Sequence, residues 1–131
     1  MERIADVQLF KLFLRTLECC GTFLLDCEPR DIEYFLFEEF DGDSISFLHE
    51  ASLSKLLNCG YISPEIYSQC QLLYKKYRQM EDTSMWNVNS VKASPEWHAI
   101  LSLSDEIKSM IQDNNSRTDL LLKVKPKIDK N

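Results

Sequence analysis

The sequence predicts an all-α domain, a single bundle of about five to six helices with a polar C-terminal tail. Three observations carry that reading. Only three glycines and four prolines occur in 131 residues, too few for a fold built on many tight turns. Apolar side chains recur at helical spacing in several long stretches, and outside residues 120–124 no segment alternates apolar and polar as a half-buried strand would. Two segments also open with the grammar of a helix start, Ser63-Pro64-Glu65 and Ser94-Pro95-Glu96. Each supplies a capping hydroxyl, a proline at the first helical position and an acid in the first turn. The length fits one domain, large enough to bury roughly two thirds of its unfolded surface. We expect that domain over 1–122 and a flexible basic tail over 123–131.

The elements follow in order. From residue 4 to about 20, Val7, Phe10, Phe13, Leu14 and Leu17 form one broad apolar arc that Leu9 and Leu12 widen, the pattern of a central helix. Gly21 ends or bends it, and Phe23, Leu24 and Leu25 continue into the core. Glu28-Pro29 interrupts the chain, because the residue before proline disfavours the helical region. A second helix is expected from Arg30 to Phe40, closed by a turn at Asp41-Gly42-Asp43-Ser44. A third is expected from Ser46 to Asn58, stopped by Asn58-Cys59-Gly60. After Ser63, residues Ile66, Cys70, Leu73, Tyr74, Tyr77 and Met80 share one face. After Ser94, Trp97, Ile100, Leu101, Ile107 and Ile111 do the same. Residues 82–93 between them read as an irregular surface loop anchored by Trp86 and Val88. Beyond Asn114 the chain turns polar, with Leu120, Leu121, Leu122 and Val124 as candidates for a last short helix or strand.

Charge is distributed unevenly. Asp26 to Asp43 holds eight carboxylates against Arg30, a local charge of −7, whereas the whole chain carries −6, so the other residues sum to +1. An acidic chain is poorly suited to nucleic acid or to anionic membranes and favours basic proteins as partners. The run from Leu9 is broken by Lys11 and Arg15, so no bilayer span is expected. Glu2 and Asp6 stand where a signal peptide needs a basic region. Five cysteines, an odd number without a Cys-x-x-Cys pair, point to a reducing compartment, and the expected location is cytoplasmic.

No reaction chemistry is expected. Asp41-Gly42-Asp43 mimics part of a calcium loop. Setting Gly42 at the loop's invariant glycine, however, puts Phe37 in the first ligand slot and Leu48 in the twelfth. His49 and His98 have no ligand partners at close spacing, so neither zinc nor a Cys–His nucleophile is indicated. We expect no catalytic residue, no metal and no cofactor. The acidic segment is the candidate site. On a helical wheel its buried arc is either Ile32, Phe35, Leu36 and Phe40 with Glu39 caught inside, or Ile32, Leu36, Phe37 and Phe40 with Glu33 caught inside. Either way Asp31, Tyr34 and Glu38 face outward. Asp31, Tyr34, Glu38, Asp41 and Asp43 are therefore the expected partner-binding residues, with Tyr34 as anchor. The bland alternative is a solvated helix face with one ordinary exposed aromatic.

From Leu53 the chain reads Leu-x-x-Leu-Leu-x-x-Gly-Tyr-Ile-Ser-Pro-Glu-Ile, then a long helix, a loop with Trp86, and Ser94-Pro-Glu-Trp-His-Ala-Ile-Leu-Ser-Leu-Ser-Asp-Glu-Ile. Over this half of its length it resembles the small helical immunity proteins of bacterial contact-dependent growth inhibition and related polymorphic toxin systems. The resemblance implies a cytosolic protein without catalytic residues. Such a protein binds one cognate toxin domain, often a nuclease, and covers its active site. An acidic surface would then meet a basic cleft, with no direct nucleic acid, membrane or small-molecule ligand. That family defines no fixed toxin-contact motif, so no contact residue is carried over. The alternative expectation is a non-catalytic helical adaptor, binding through the polar faces near Lys75 or Asp105.

Overall fold

The structure, a computed structural model, describes residues 4–124, with side chains from 5 to 113. Among these residues every regular element is helical. Helix α1 spans Ile4–Glu18 and a short 3₁₀ turn spans Thr22–Asp26. One helical rod follows, built from α2 (Pro29–Ile32), a π-helical stretch (Glu33–Glu39) and α3 (Phe40–Phe47). Helices α4 (Glu50–Asn58), α5 (Pro64–Met80), α6 (Val88–Ala93) and α7 (Pro95–Val124) complete the bundle. Helix α7 packs mainly on α5 and also on α6, while α1 packs on α3 and α4. The all-α expectation holds.

Both Ser-Pro-Glu starts are helix caps. The Ser63 hydroxyl accepts the Ile66 N–H at 3.1 Å, and that of Ser94 accepts the Trp97 N–H at 3.4 Å. Each satisfies one of the orphan donors of a first turn. The two amphipathic faces bury as the spacing predicts: Ile66, Cys70, Leu73, Tyr77 and Met80 on α5, and Trp97, Ile100, Leu101, Ile107 and Ile111 on α7. From α1 the core takes Phe13 and Leu17, while Val7, Phe10 and Leu14 lie half-buried. At the centre Tyr77, Trp86 and Trp97 meet one another with ring centroids 5.1–5.9 Å apart. Phe37 stands edge-on to both tryptophans, and Phe40 edge-on to Tyr77. Such edge-to-face pairs add to the burial of the rings themselves.

Several boundaries differ from the expectation. Asp41-Gly42-Asp43-Ser44 is not a turn but lies inside α3. Ile32, Leu36, Phe40, Ser44 and Leu48 are all buried at four-residue steps, and that burial outweighs the roughly 1 kcal/mol a helical glycine costs. The break falls instead at His49, whose ring Nδ1 accepts the Ala51 N–H at 3.1 Å and caps α4. The 82–93 loop contains α6, capped by Asn87 Oδ1 on the Ser90 N–H at 2.9 Å. Beyond Asn114 the backbone continues as α7 to Val124 rather than starting a separate helix or strand. Of the expected 123–131 tail, residues 125–131 lie outside the described residues.

The π-helical stretch settles which wheel applies. Phe40 donates its N–H to Phe35 O, five residues back. Four residues overshoot a regular α-helical turn by about 40°, whereas a wider π turn undershoots it. Mixing the two keeps Ile32, Leu36 and Phe40 in line against the core. Both disputed aromatics then flank that line half-buried, Phe35 toward Phe23 at 6.0 Å and Phe37 toward Trp86 at 4.9 Å. Glu33 is exposed and Glu39 half-buried, so Glu39 is the glutamate drawn toward the packed side.

Candidate functional site: an acidic rim around an aromatic groove

The end of α1 is pinned before the chain reaches this site. Cys20 O accepts the Ser104 hydroxyl at 2.7 Å and Lys108 Nζ at 2.8 Å. Asp105 accepts the Thr22 N–H at 3.2 Å and its hydroxyl at 2.5 Å. Gly21 allows the approach, since a Cβ there would lie 2.5 Å from Asp105 Oδ1 and 2.8 Å from Lys108 Nζ. Asp105 thus has partners inside the molecule while its side chain stays 39% exposed, and Lys75 is exposed. The pinned turn sends Leu24 into the core and turns Phe23 out to 41% exposure, so the expectation that Phe23 enters the core does not hold.

Phe23 then faces the π-helical stretch. Tyr34, 48% exposed, is edge-on to Phe35 with centroids 5.3 Å apart, and Phe23 is edge-on to the same ring at 6.0 Å. These rings line an open groove of about 350 Å³ between the C-terminal end of α1 and the rod. Phe35 and the nearly buried Cys19 form its floor; Glu18, Glu39 and Arg15 stand around it. Burial pushes the Cys19 thiol up, and the charges of Glu39 and Asp43 push it further. The floor is therefore a neutral thiol in a negative field.

The five expected binding residues divide. Tyr34 and Glu38 are exposed, and Asp31 is half-exposed, as the wheel requires. Asp43 is half-buried, close enough to α1 for its charge to act on Cys19. Asp41 is different: its carboxylate binds Arg78 Nη2 and lies 3.4 Å from the Tyr77 hydroxyl. It is committed to holding α3 on α5. Glu18, Cys19 and Phe23 belong to the groove although they precede the acidic segment. Nothing in local spacing points to them, because they arrive by the folding of α1 against the rod.

The other chemical candidates have structural work. His98 Nε2 lies 2.9 Å from Lys92 O, and His49 caps α4. Among the described residues no group of three or more His, Cys, Asp or Glu side chains could hold a metal ion. Burial pushes the Cys20 and Cys70 thiols up to about 12, far from an activated nucleophile. Among the described residues no helix is long and apolar enough to cross a membrane. A second, smaller hollow of about 200 Å³ between α5 and α7 is lined by Met80, Ala99 and Ile100, with Lys76 and Glu96 balancing in charge. Comparison with protein-family models, with curated proteins and with solved structures finds no match for this chain.

Proposed function

We propose that this chain is a cytoplasmic, non-catalytic immunity protein. It neutralises a cognate toxin domain, a nuclease in the form we favour, by laying an acidic surface over that domain's basic active-site cleft. One observation carries the reading: Tyr34 stands 48% exposed in the middle of the most acidic segment, on a rod whose core-facing line is already filled by Ile32, Leu36 and Phe40. An exposed aromatic ringed by carboxylates offers apolar contact and charge together, the composition of an interface anchor. A nuclease cleft is basic because it must hold phosphates, so an acidic cover is its electrostatic complement. Rim carboxylates such as Asp31 and Glu38 would mainly speed association.

The test begins with the reading frame upstream of this gene. Its C-terminal domain, expressed alone, should arrest growth, and co-expression of this chain should restore it. The double variant Asp31→Lys, Glu38→Lys should bind that domain about tenfold or more weakly at roughly 50 mM salt, with the difference shrinking at high salt. Asp41 is left intact in this variant because Arg78 depends on it. No rescue and no complex would overturn the proposal. Equal binding at low and high salt, unmoved by the charge reversals, would favour the adaptor alternative.

A further inference from the structure

We infer that the groove between α1 and the π-helical stretch receives one arginine side chain from a basic segment of the partner, its stem between Phe23 and Tyr34 and its guanidinium against Glu18 and Glu39. The inference rests on the acidic binding surface proposed above and names what that surface grips. At about 350 Å³, the groove has room for a long side chain but not for a helix about 10 Å across. Its lining is three rings and a neutral thiol, which suits a methylene stem that keeps its charged head in water.

Charge selects the head. Two carboxylates, Glu18 and Glu39, stand on the lining against one cation, Arg15, and at Cys19 the charges of Glu39, Asp43 and Glu18 oppose that of Arg15. An anionic group would be repelled, and a purely apolar one would leave two carboxylates against dry surface. A guanidinium satisfies both parts, because it stacks on aromatic faces and forks onto carboxylates where an ammonium offers only a point charge. The molecule already uses this recipe internally. Arg78 lies 4.9 Å over the Tyr77 ring and 5.8 Å over the Tyr74 ring while it binds the Asp41 and Glu81 carboxylates. The groove offers the same residue types open to solvent, three rings and two carboxylates, with Arg15 on its lining and Lys108 Nζ 5.8 Å from the Phe23 ring.

The probe is a blocked Gly-Arg-Gly peptide titrated into the full ¹⁵N-labelled chain, beside its citrulline counterpart, which keeps the shape and loses the charge. Amide shifts should centre on Cys19, Phe23, Tyr34 and Phe35, and the citrulline peptide should bind about tenfold more weakly. Tyr34→Ala, and separately Glu18→Gln with Glu39→Gln, should each weaken the arginine peptide about fivefold or more while the rest of the spectrum stays in place. Equal binding of the citrulline peptide would overturn the inference. So would shifts scattered over the whole acidic surface, or indifference to Tyr34→Ala. The assay needs no toxin. Its failure alongside growth rescue removes the groove and leaves the immunity reading; arginine binding without rescue does the reverse.

Discussion

Glu38 and Asp41 are three residues apart on one helical rod and do different jobs. Glu38 points to solvent. Asp41 holds Arg78, whose guanidinium covers the Tyr77 ring, and Tyr77 in turn donates its buried hydroxyl to Leu36 O at 2.6 Å. Burial first, and then the Asp41 charge, pushes the Tyr77 pKa well above its usual value, so the hydroxyl remains a donor. Removing Asp41 leaves a partly buried guanidinium short of its partner. We expect Asp41→Ala to cost about 1–3 kcal/mol in urea unfolding, and Glu38→Ala to stay within about 0.5 kcal/mol. Equal costs would mean the ion pair contributes nothing. Sequence spacing treats the two acids alike, because Arg78 lies 37 residues from Asp41 and is brought to it only by the tertiary fold.

At the scale of the element, the rod from Pro29 to Phe47 is where local signals and tertiary packing part. Asp-Gly-Asp-Ser is strong turn chemistry, and a chain read locally would stop there. The helix continues because Phe40, Ser44 and Leu48 extend the buried line. A Cβ at Gly42 would meet nothing within 4 Å, and the glycine is exposed. Gly42→Ala should therefore stabilise the protein by about 0.5–1 kcal/mol, read as a higher urea midpoint. Destabilisation would restore the turn. Helix starts were more legible than helix ends. Ser63 and Ser94 act through their own hydroxyls within three residues, so spacing alone reveals them. Asn87 caps α6 without the proline and acid that follow Ser63 and Ser94, and a six-residue helix is too short to show periodicity.

At the scale of the whole molecule, the cysteines measure how dry the core is. Cys20 and Cys70 have thiols pushed up to about 12 by burial, against an ordinary value of 9.0. The folded state keeps these protons where the unfolded chain releases them. The stability they contribute is thus complete below pH 9 and falls as pH rises through the window up to about 12. We expect the urea midpoint to drop as pH rises from about 9 to about 11, and to drop less in Cys70→Ala, which lacks one of the two thiols. Identical slopes would mean that the Cys70 thiol ionises in the native protein.

What the sequence by itself determined is the helical class, the two capped amphipathic helices and the outward position of Asp31, Tyr34 and Glu38. All of these follow from interactions within one or two helical turns, where spacing and geometry are tied. The tertiary structure decided the rest. It closed Asp41 onto Arg78, drew α3 through a turn sequence, and fixed the phase of the rod with a π turn that keeps Ile32, Leu36 and Phe40 in one line. It also built the groove by pinning Cys20 and Thr22 to α7 and so presenting Phe23 to Tyr34. Those outcomes depend on which buried surface is available at long range, and local periodicity carries no record of it.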